Sequence, residues 1–265
     1  HNNDFILALD KLFYTLFGVN RIRRKATELR RSVPAYNEPD ISAIFPPDRI
    51  PDQLPGYEYL VPLAIVGESD TGRPLLAGNS VEPLYGGEQA YPAMLEAIEG
   101  AETSVTLLAY IFDNDRSGRE FVDALADAHD RGVEVRVLID AAGARYSFPS
   151  IVSLLKKRGV NVAKFLPSSL IPPYILSVNL RNHRKIMVVD GEVGFTGGMN
   201  IREDCRIDRS PKYPTRDLHF RVCGPVVMQL QQIFAEDWTF SAHETLDGET
   251  WFPTPAWCGS VLSRG

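Results

Sequence analysis

Cysteine is scarce in this chain, with three among 265 residues: Cys205, Cys223 and Cys258. They are odd in number and widely spaced, and no C-x-x-C pair occurs, so neither a zinc site nor a disulfide framework is indicated. An uninterrupted apolar run is missing as well. The stretch "FILALDKLFYTLFGV" (5–19) is broken by Asp10 and Lys11. It is shorter than the ~20 mostly apolar residues that a membrane-spanning helix needs. Excess positive charge is absent too. A net charge of −6 does not suit a protein whose main partner is nucleic acid, because such a partner calls for a basic footprint. The chain opens on His1 and not on Met, so a missing targeting segment excludes nothing.

What is present points to a packed protein. Hydrophobic residues make up 44% and charged residues 23%, a balance that supports a core and argues against general disorder. The length fits one large domain, or one domain with an appendage.

The composition shifts along the chain. After the apolar stretch comes "NRIRRKATELRR", with Arg21, Arg23, Arg24, Lys25, Arg30 and Arg31. An apolar stretch followed by a basic cluster suits a helix at an anionic membrane surface. A helix docked on its own domain with a solvated basic face is the alternative. Residues 1–32 are therefore read as an apolar-basic, membrane-proximal segment. Residues 33–56, with six prolines from Pro34 to Pro55, read as a linker or arm. A globular domain is expected over 57–265.

Within that domain, strand and helix patterns alternate. "EYLVPLAIVG" reads as a strand, 87–101 as a helix and 103–112 as a buried strand. Residues 117–132 read as a helix with Ser117 as its cap and Gly132 as its stop. Residues 133–140 read as a strand, "FPSIVSLLKKRG" as a helix and "VNVAKFL" as a strand. Residues 217–223 read as a further strand, and 224–240 as a helix with Pro225 in its first turn. This alternation predicts an α/β fold with a mixed, largely parallel sheet sandwiched by helices.

The chemistry concentrates in "NHRKIMVVDGEVGFTGGMN" (182–200). If this is a strand, His183 and Lys185 face one side and Arg184 the other. An ammonium beside an imidazole suits a phosphorus centre: one neutralises oxygens and the other can attack. Asp190-Gly191 favours a tight two-residue hairpin turn. Gly197 and Gly198 allow close backbone approach. Asn200 offers an amide donor, or alternatively a helix cap completed by Glu203.

The ordered pattern His-x-Lys, four residues, Asp, six residues, Gly-Gly-x-Asn resembles the H-x-K-x4-D motif of the phospholipase D superfamily. The stretches 110–143 and 216–238 resemble the segments before and after that motif in bacterial cardiolipin synthases. "FGVNRIRRKA" resembles the region that joins their membrane segment to the catalytic part. The resemblance implies a phospholipase D-like fold and phosphatidyl transfer through a phosphohistidine, with no metal and no cofactor. It makes His183, Lys185 and Asp190 the motif residues. His183 becomes the nucleophile or the general acid for the leaving alcohol. Lys185 and Asn200, with Gly197 and Gly198, become the phosphate-binding group. Asp190 becomes a turn-setting or supporting residue, since it sits at the far end of the strand from His183. The implied partners are a phospholipid such as phosphatidylglycerol and an anionic membrane surface, with no nucleic acid. The implied location is membrane-associated, at a bacterial inner (cytoplasmic) membrane.

Family members join two such motifs at one site, and this chain carries one. No other histidine has a lysine two residues on; His219 comes nearest, with Arg221 in that place. Asp217 and His219 are expected to line or support the first site. The second motif then comes from a C-terminal half of a longer enzyme, or from a second copy in a homodimer. Among the aromatics, Trp238 is expected in the core and "ETWFPTPAW" in a loop near the site entrance. Asp113, Asp115 and Arg116 follow a predicted strand, where site loops of α/β folds gather. Two other readings stay open: a hydrolase or nuclease of the same superfamily, and a lipid-binding half-module without turnover.

Overall fold

The computed structural model describes residues 58–145, 148–165 and 181–265. The segments 1–32 and 33–56 lie outside the described residues. Eight strands form one sheet in the order β4-β3-β2-β5-β6-β7-β1-β8. In chain order they are β1 (Leu76–Tyr85), β2 (Ser104–Ala109), β3 (Glu134–Asp140), β4 (Asn161–Phe165), β5 (Ile186–Val189), β6 (Val193–Gly197), β7 (Leu218–Cys223) and β8 (Val261–Ser263). The helices are α1 (Val61–Thr71), α2 (Gly87–Glu99), α3 (Arg116–Asp130), α4 (Ile151–Lys157) and α5 (Val226–Ala242).

The central strands show why the sheet has helices on both faces. Val105, Leu107 and Ala109 of β2, Val135, Val137 and Ile139 of β3, and Met187 and Val189 of β5 enter one core with α2, α3 and α4. The residues between them, Leu108, Leu138, Ile186 and Val188, enter a second core beneath α5. Period-two alternation thus places an apolar side chain on each face. Thr106 and Arg136 are polar exceptions: the Thr106 hydroxyl donates to Gln231 Oε1 of α5 at 2.8 Å, and Arg136 pairs with Glu244 at 2.7 Å.

The mixed, helix-covered sheet matches expectation, but its parallel share is smaller. Among the described strands, only β2–β3 and β3–β4 pair in parallel. These are the two places where a helix supplies the crossover. The β5–β6–β7 meander and the return of β1 beside β7 make the other half antiparallel. Strand β1 has no counterpart in the sequence reading, which places a strand at 58–67 instead. That run is a 3-10 turn (Glu58–Leu60) leading into helix α1, which has a proline at its start and Gly72 closing it in the left-handed conformation at φ 68°. A continuous apolar run carries no period to separate the two states.

Local differences are smaller. Asp190 (φ 53°) and Gly191 (φ 65°) form the hairpin turn, and Glu192 N–H donates to Val189 O at 3.0 Å. Because Val189 pairs with Val193, the connection is one residue longer than the tight two-residue turn. Asp115, not Ser117, caps α3, accepting from Gly118 N–H at 2.8 Å. Pro225 is the residue before α5 and not in its first turn. Cys223 and Cys258 are disulfide-bonded, with Cα atoms 5.8 Å apart. The sheet causes this: Cys258 N–H donates to Gly78 O of β1 at 2.9 Å, and β1 lies beside β7.

Candidate active site

The end of the sheet that collects the motif is set by pairing. Leu108 of β2 opposes Ile186 at the start of β5, Gly197 at the end of β6 opposes His219, and Tyr85 at the end of β1 opposes Leu218. His183 and Lys185 fall just before β5 and not within a strand. They still share one side. The His183 imidazole stacks on the Tyr110 ring, with centroids 4.0 Å apart and planes 20° apart. The Lys185 ammonium lies 5.5 Å from the centroid of the same ring. Lys185 Nζ also donates to His183 O at 2.7 Å. Arg184 points away and pairs with Asp237 of α5 at 2.8 Å.

Two carboxylates shape this loop. Asp140, at the end of β3, accepts Asn182 N–H at 3.0 Å and Ala142 N–H at 2.8 Å, with the Arg181 guanidinium 3.6 Å away. Asp237 accepts from Asn182 Nδ2 at 2.6 Å and from Arg184 Nη1 at 2.8 Å. Burial pushes the Asp237 carboxyl above its ordinary range, and the bonds to Arg184 and Asn182 pull it back. Tyr110, Asp140 and Asp237 are absent from the sequence-derived site. The one available signal is position, since Tyr110 and Asp140 sit where strands end in α/β folds.

Lys185 is partly buried. Burial pushes its ammonium below the ordinary range, and the Asp217 carboxylate opposes that. His219 is buried at 2% exposure, and its Nδ1 has no hydrogen-bond partner. Burial pushes its imidazole down to about 4, with Asp217 opposing and Lys185 adding to the shift.

The two glycines face this same strand. A Cβ on Gly197 would lie 2.5 Å from Leu218 O and 2.8 Å from His219 Nδ1, and its φ is +153°. A Cβ on Gly198 would meet the Asp217 carboxylate. Their missing side chains therefore make room for the start of β7 and for Asp217 just before it. Asn200 is drawn in by the segment that follows β2: its Oδ1 accepts Ile111 N–H at 3.1 Å. That bond leaves the Nδ2 hydrogens as the ones that can serve a phosphoryl oxygen. No capping box forms with Glu203, whose carboxylate instead accepts the Ser117 N–H at 3.0 Å and hydroxyl at 2.6 Å.

Asp190 stands at the other end of β5. Its carboxylate accepts the N–H groups of Glu102, Thr103 and Ser104, and the Thr103 hydroxyl. Asp113 pairs with Arg202 at 3.2 Å, Asp115 caps α3 and accepts Glu203 N–H at 2.6 Å, and Arg116 pairs with Glu120 at 3.4 Å. None of these contacts is with His183. Trp238 is buried in the second core. The loop around Trp251 packs beside Gly191, at the Asp190 end and not at the site entrance. Among the described residues, no three His, Cys, Asp or Glu side chains gather as metal ligands. Among the same residues, no helix is long and apolar enough to cross a membrane.

Comparison with known proteins matches residues 94–238 to the family model described as "Cardiolipin synthase, PLD-like domain". The chain is 35% identical over 252 residues to cardiolipin synthase 1 of Bacillus anthracis, covering 91% of this chain and 47% of the relative. It is 40% identical over 173 residues to cardiolipin synthase A of Pseudomonas fluorescens strain SBW25, covering 64% of this chain and 36% of the relative. The chain thus spans about half the length, or less, of these curated relatives. Among solved structures, it is similar to Nuc of Salmonella typhimurium, a phospholipase D family member. The TM-score is 0.47 at 20% identity, covering 64% of this chain and 99% of that one.

Proposed function

The chain belongs to the family of cardiolipin synthase, phospholipase D-like domains, and from that premise we propose that it is one catalytic half of a phosphatidyl transferase acting on phospholipid phosphodiesters. The observation that carries the reading is the shared Tyr110 ring, which brings the imidazole of His183 and the ammonium of Lys185 together. In this reading the substrate is a phospholipid such as phosphatidylglycerol. A His183 nitrogen attacks phosphorus, and the bond from phosphorus to the glycerol headgroup oxygen breaks. The released glycerol takes a proton from a second histidine, leaving a phosphatidyl-histidine. The hydroxyl of a second lipid then attacks the same phosphorus. The second histidine removes that hydroxyl's proton, and His183 is released.

Lys185 and the Asn200 amide stabilise the charge that builds on the phosphoryl oxygens. Asp140 and Asp237 hold the loop, and Asp190 holds the far end of the hairpin. The second histidine and lysine come from another motif-bearing half, either on the same polypeptide or on a second copy. The basic cluster Arg21 to Arg31 supports contact with an anionic membrane surface, which places the site at its lipid substrate.

The test is product analysis by lipid mass spectrometry, using the full-length enzyme in phosphatidylglycerol vesicles beside its His183→Ala variant. A cardiolipin-type lipid made by the parent and lost in the variant is the expected result. Phosphatidic acid as sole product would make the protein a hydrolase. Transfer undiminished in the variant would remove His183 from the chemistry.

A further inference from the structure

We infer that Tyr110 is a positioning residue of this site, whose ring is the platform that holds His183 and Lys185 in one fixed arrangement. The inference deepens the transferase reading and rests on it for the roles of those two groups. His183 is exposed and lies in a loop before β5, so the local backbone leaves its imidazole free to rotate. Stacking at 4.0 Å with planes 20° apart removes that freedom. Offset or parallel ring contact is favourable in its own right, and an ammonium over a phenol face is attracted by the ring quadrupole.

The platform is itself anchored. Tyr110 directly follows β2. Its neighbour Ile111 donates to Asn200 Oδ1 at 3.1 Å and accepts Ile201 N–H at 3.1 Å. Behind it, Gly143 packs so closely on the Tyr110 carbonyl that a Cβ there would collide. One residue thus joins the histidine, the lysine and, through the next peptide, the asparagine.

The geometry also suits attack. The lone pair of an imidazole nitrogen lies in the ring plane. Stacking covers a face of His183 and leaves its edges open, so the ring is aimed without being blocked. Holding a reacting group within a narrow range of directions is worth large factors in rate.

The experiment compares Tyr110→Leu and Tyr110→Phe in the full-length enzyme on phosphatidylglycerol vesicles. Tyr110→Leu should lower kcat by about 10- to 100-fold while leaving KM for lipid within about threefold, because binding groups remain. Tyr110→Phe keeps the ring and should stay within about threefold of the parent in kcat. A second readout does not depend on activity. With 13C-labelled histidine, the His183 imidazole signal, identified by its loss in His183→Ala, should lie upfield through the Tyr110 ring current. It should return to the free-histidine position in Tyr110→Leu and stay upfield in Tyr110→Phe.

The upfield signal in the parent tests the stack even where the leucine variant fails to fold. An unshifted parent signal overturns the inference, and so does a phenylalanine variant as impaired as the leucine one. A correctly behaving signal in an enzyme that makes no transfer product keeps the platform and removes the transferase reading instead.

Discussion

Asp190 ties Thr103 to the hairpin: its Oδ1 accepts the Thr103 N–H at 2.7 Å and the Thr103 hydroxyl at 2.9 Å. The carboxylate also takes the N–H groups of Glu102 and Ser104, at 3.0 and 2.9 Å. A motif residue so engaged closes the start of β2 and cannot reach His183 at the opposite end of β5. Asp190→Asn presents an amide to a nest of donors and should cost about 2 kcal/mol or more of stability, read from urea unfolding. Turnover per folded molecule should stay near that of the parent. Lost turnover at full stability would give Asp190 a chemical role.

Lys185 should behave in the opposite way. It is partly buried, and its charge faces Asp217. Lys185→Met should leave the unfolding midpoint almost unchanged and reduce kcat/KM by roughly 10²- to 10³-fold, the range for removing one donor to a developing oxyanion. Steady-state transfer assays beside urea unfolding separate the two effects.

Gly197 and Gly198 differ in what an added methyl meets. At Gly197 the obstacle is backbone, Leu218 O at 2.5 Å, and φ is +153°. At Gly198 it is the Asp217 side chain, which can turn aside. Gly197→Ala should therefore destabilise the fold by about 2 to 4 kcal/mol. Gly198→Ala should cost clearly less stability and act mainly on turnover, through displaced Asp217. Thermal unfolding and transfer assays on both variants check the order.

Much of this could be read from residue order. Asp190-Gly191 turns the chain, His183 and Lys185 share a side, and the alternation from Thr103 to Phe165 builds the two parallel crossovers. Contacts between distant segments could not be read in this way. Tyr110 carries no mark of its own, and it becomes part of the site because β2 pairs with β5. Asp237 is a helix residue whose partners lie 53 and 55 positions away. The Cys223–Cys258 bond depends on the same kind of pairing, through β1. Helix α1 carries no helical period in its sequence because its apolar run has no buried residue to impose one.

His219 should make stability depend on pH. Its folded value is about 4 against an ordinary 6.5, so the unfolded chain binds its proton first as pH falls. The contribution is fully present above about 6.5 and is lost as pH falls through about 4. The loss is on the order of 3 kcal/mol for this group. The difference in unfolding free energy between the parent and His219→Gln should vary with pH across that window. A constant difference would show that His219 is protonated equally in both states.

The central claim is a covalent phosphatidyl-histidine at His183, and exchange tests it most directly. The full-length enzyme is incubated with phosphatidylglycerol vesicles and isotopically labelled glycerol, and the lipid is analysed by mass spectrometry. A covalent intermediate predicts label entering phosphatidylglycerol, with none entering in the His183→Ala variant. Formation of a cardiolipin-type product without any label in phosphatidylglycerol would contradict the account, because it would mean direct transfer between two lipids.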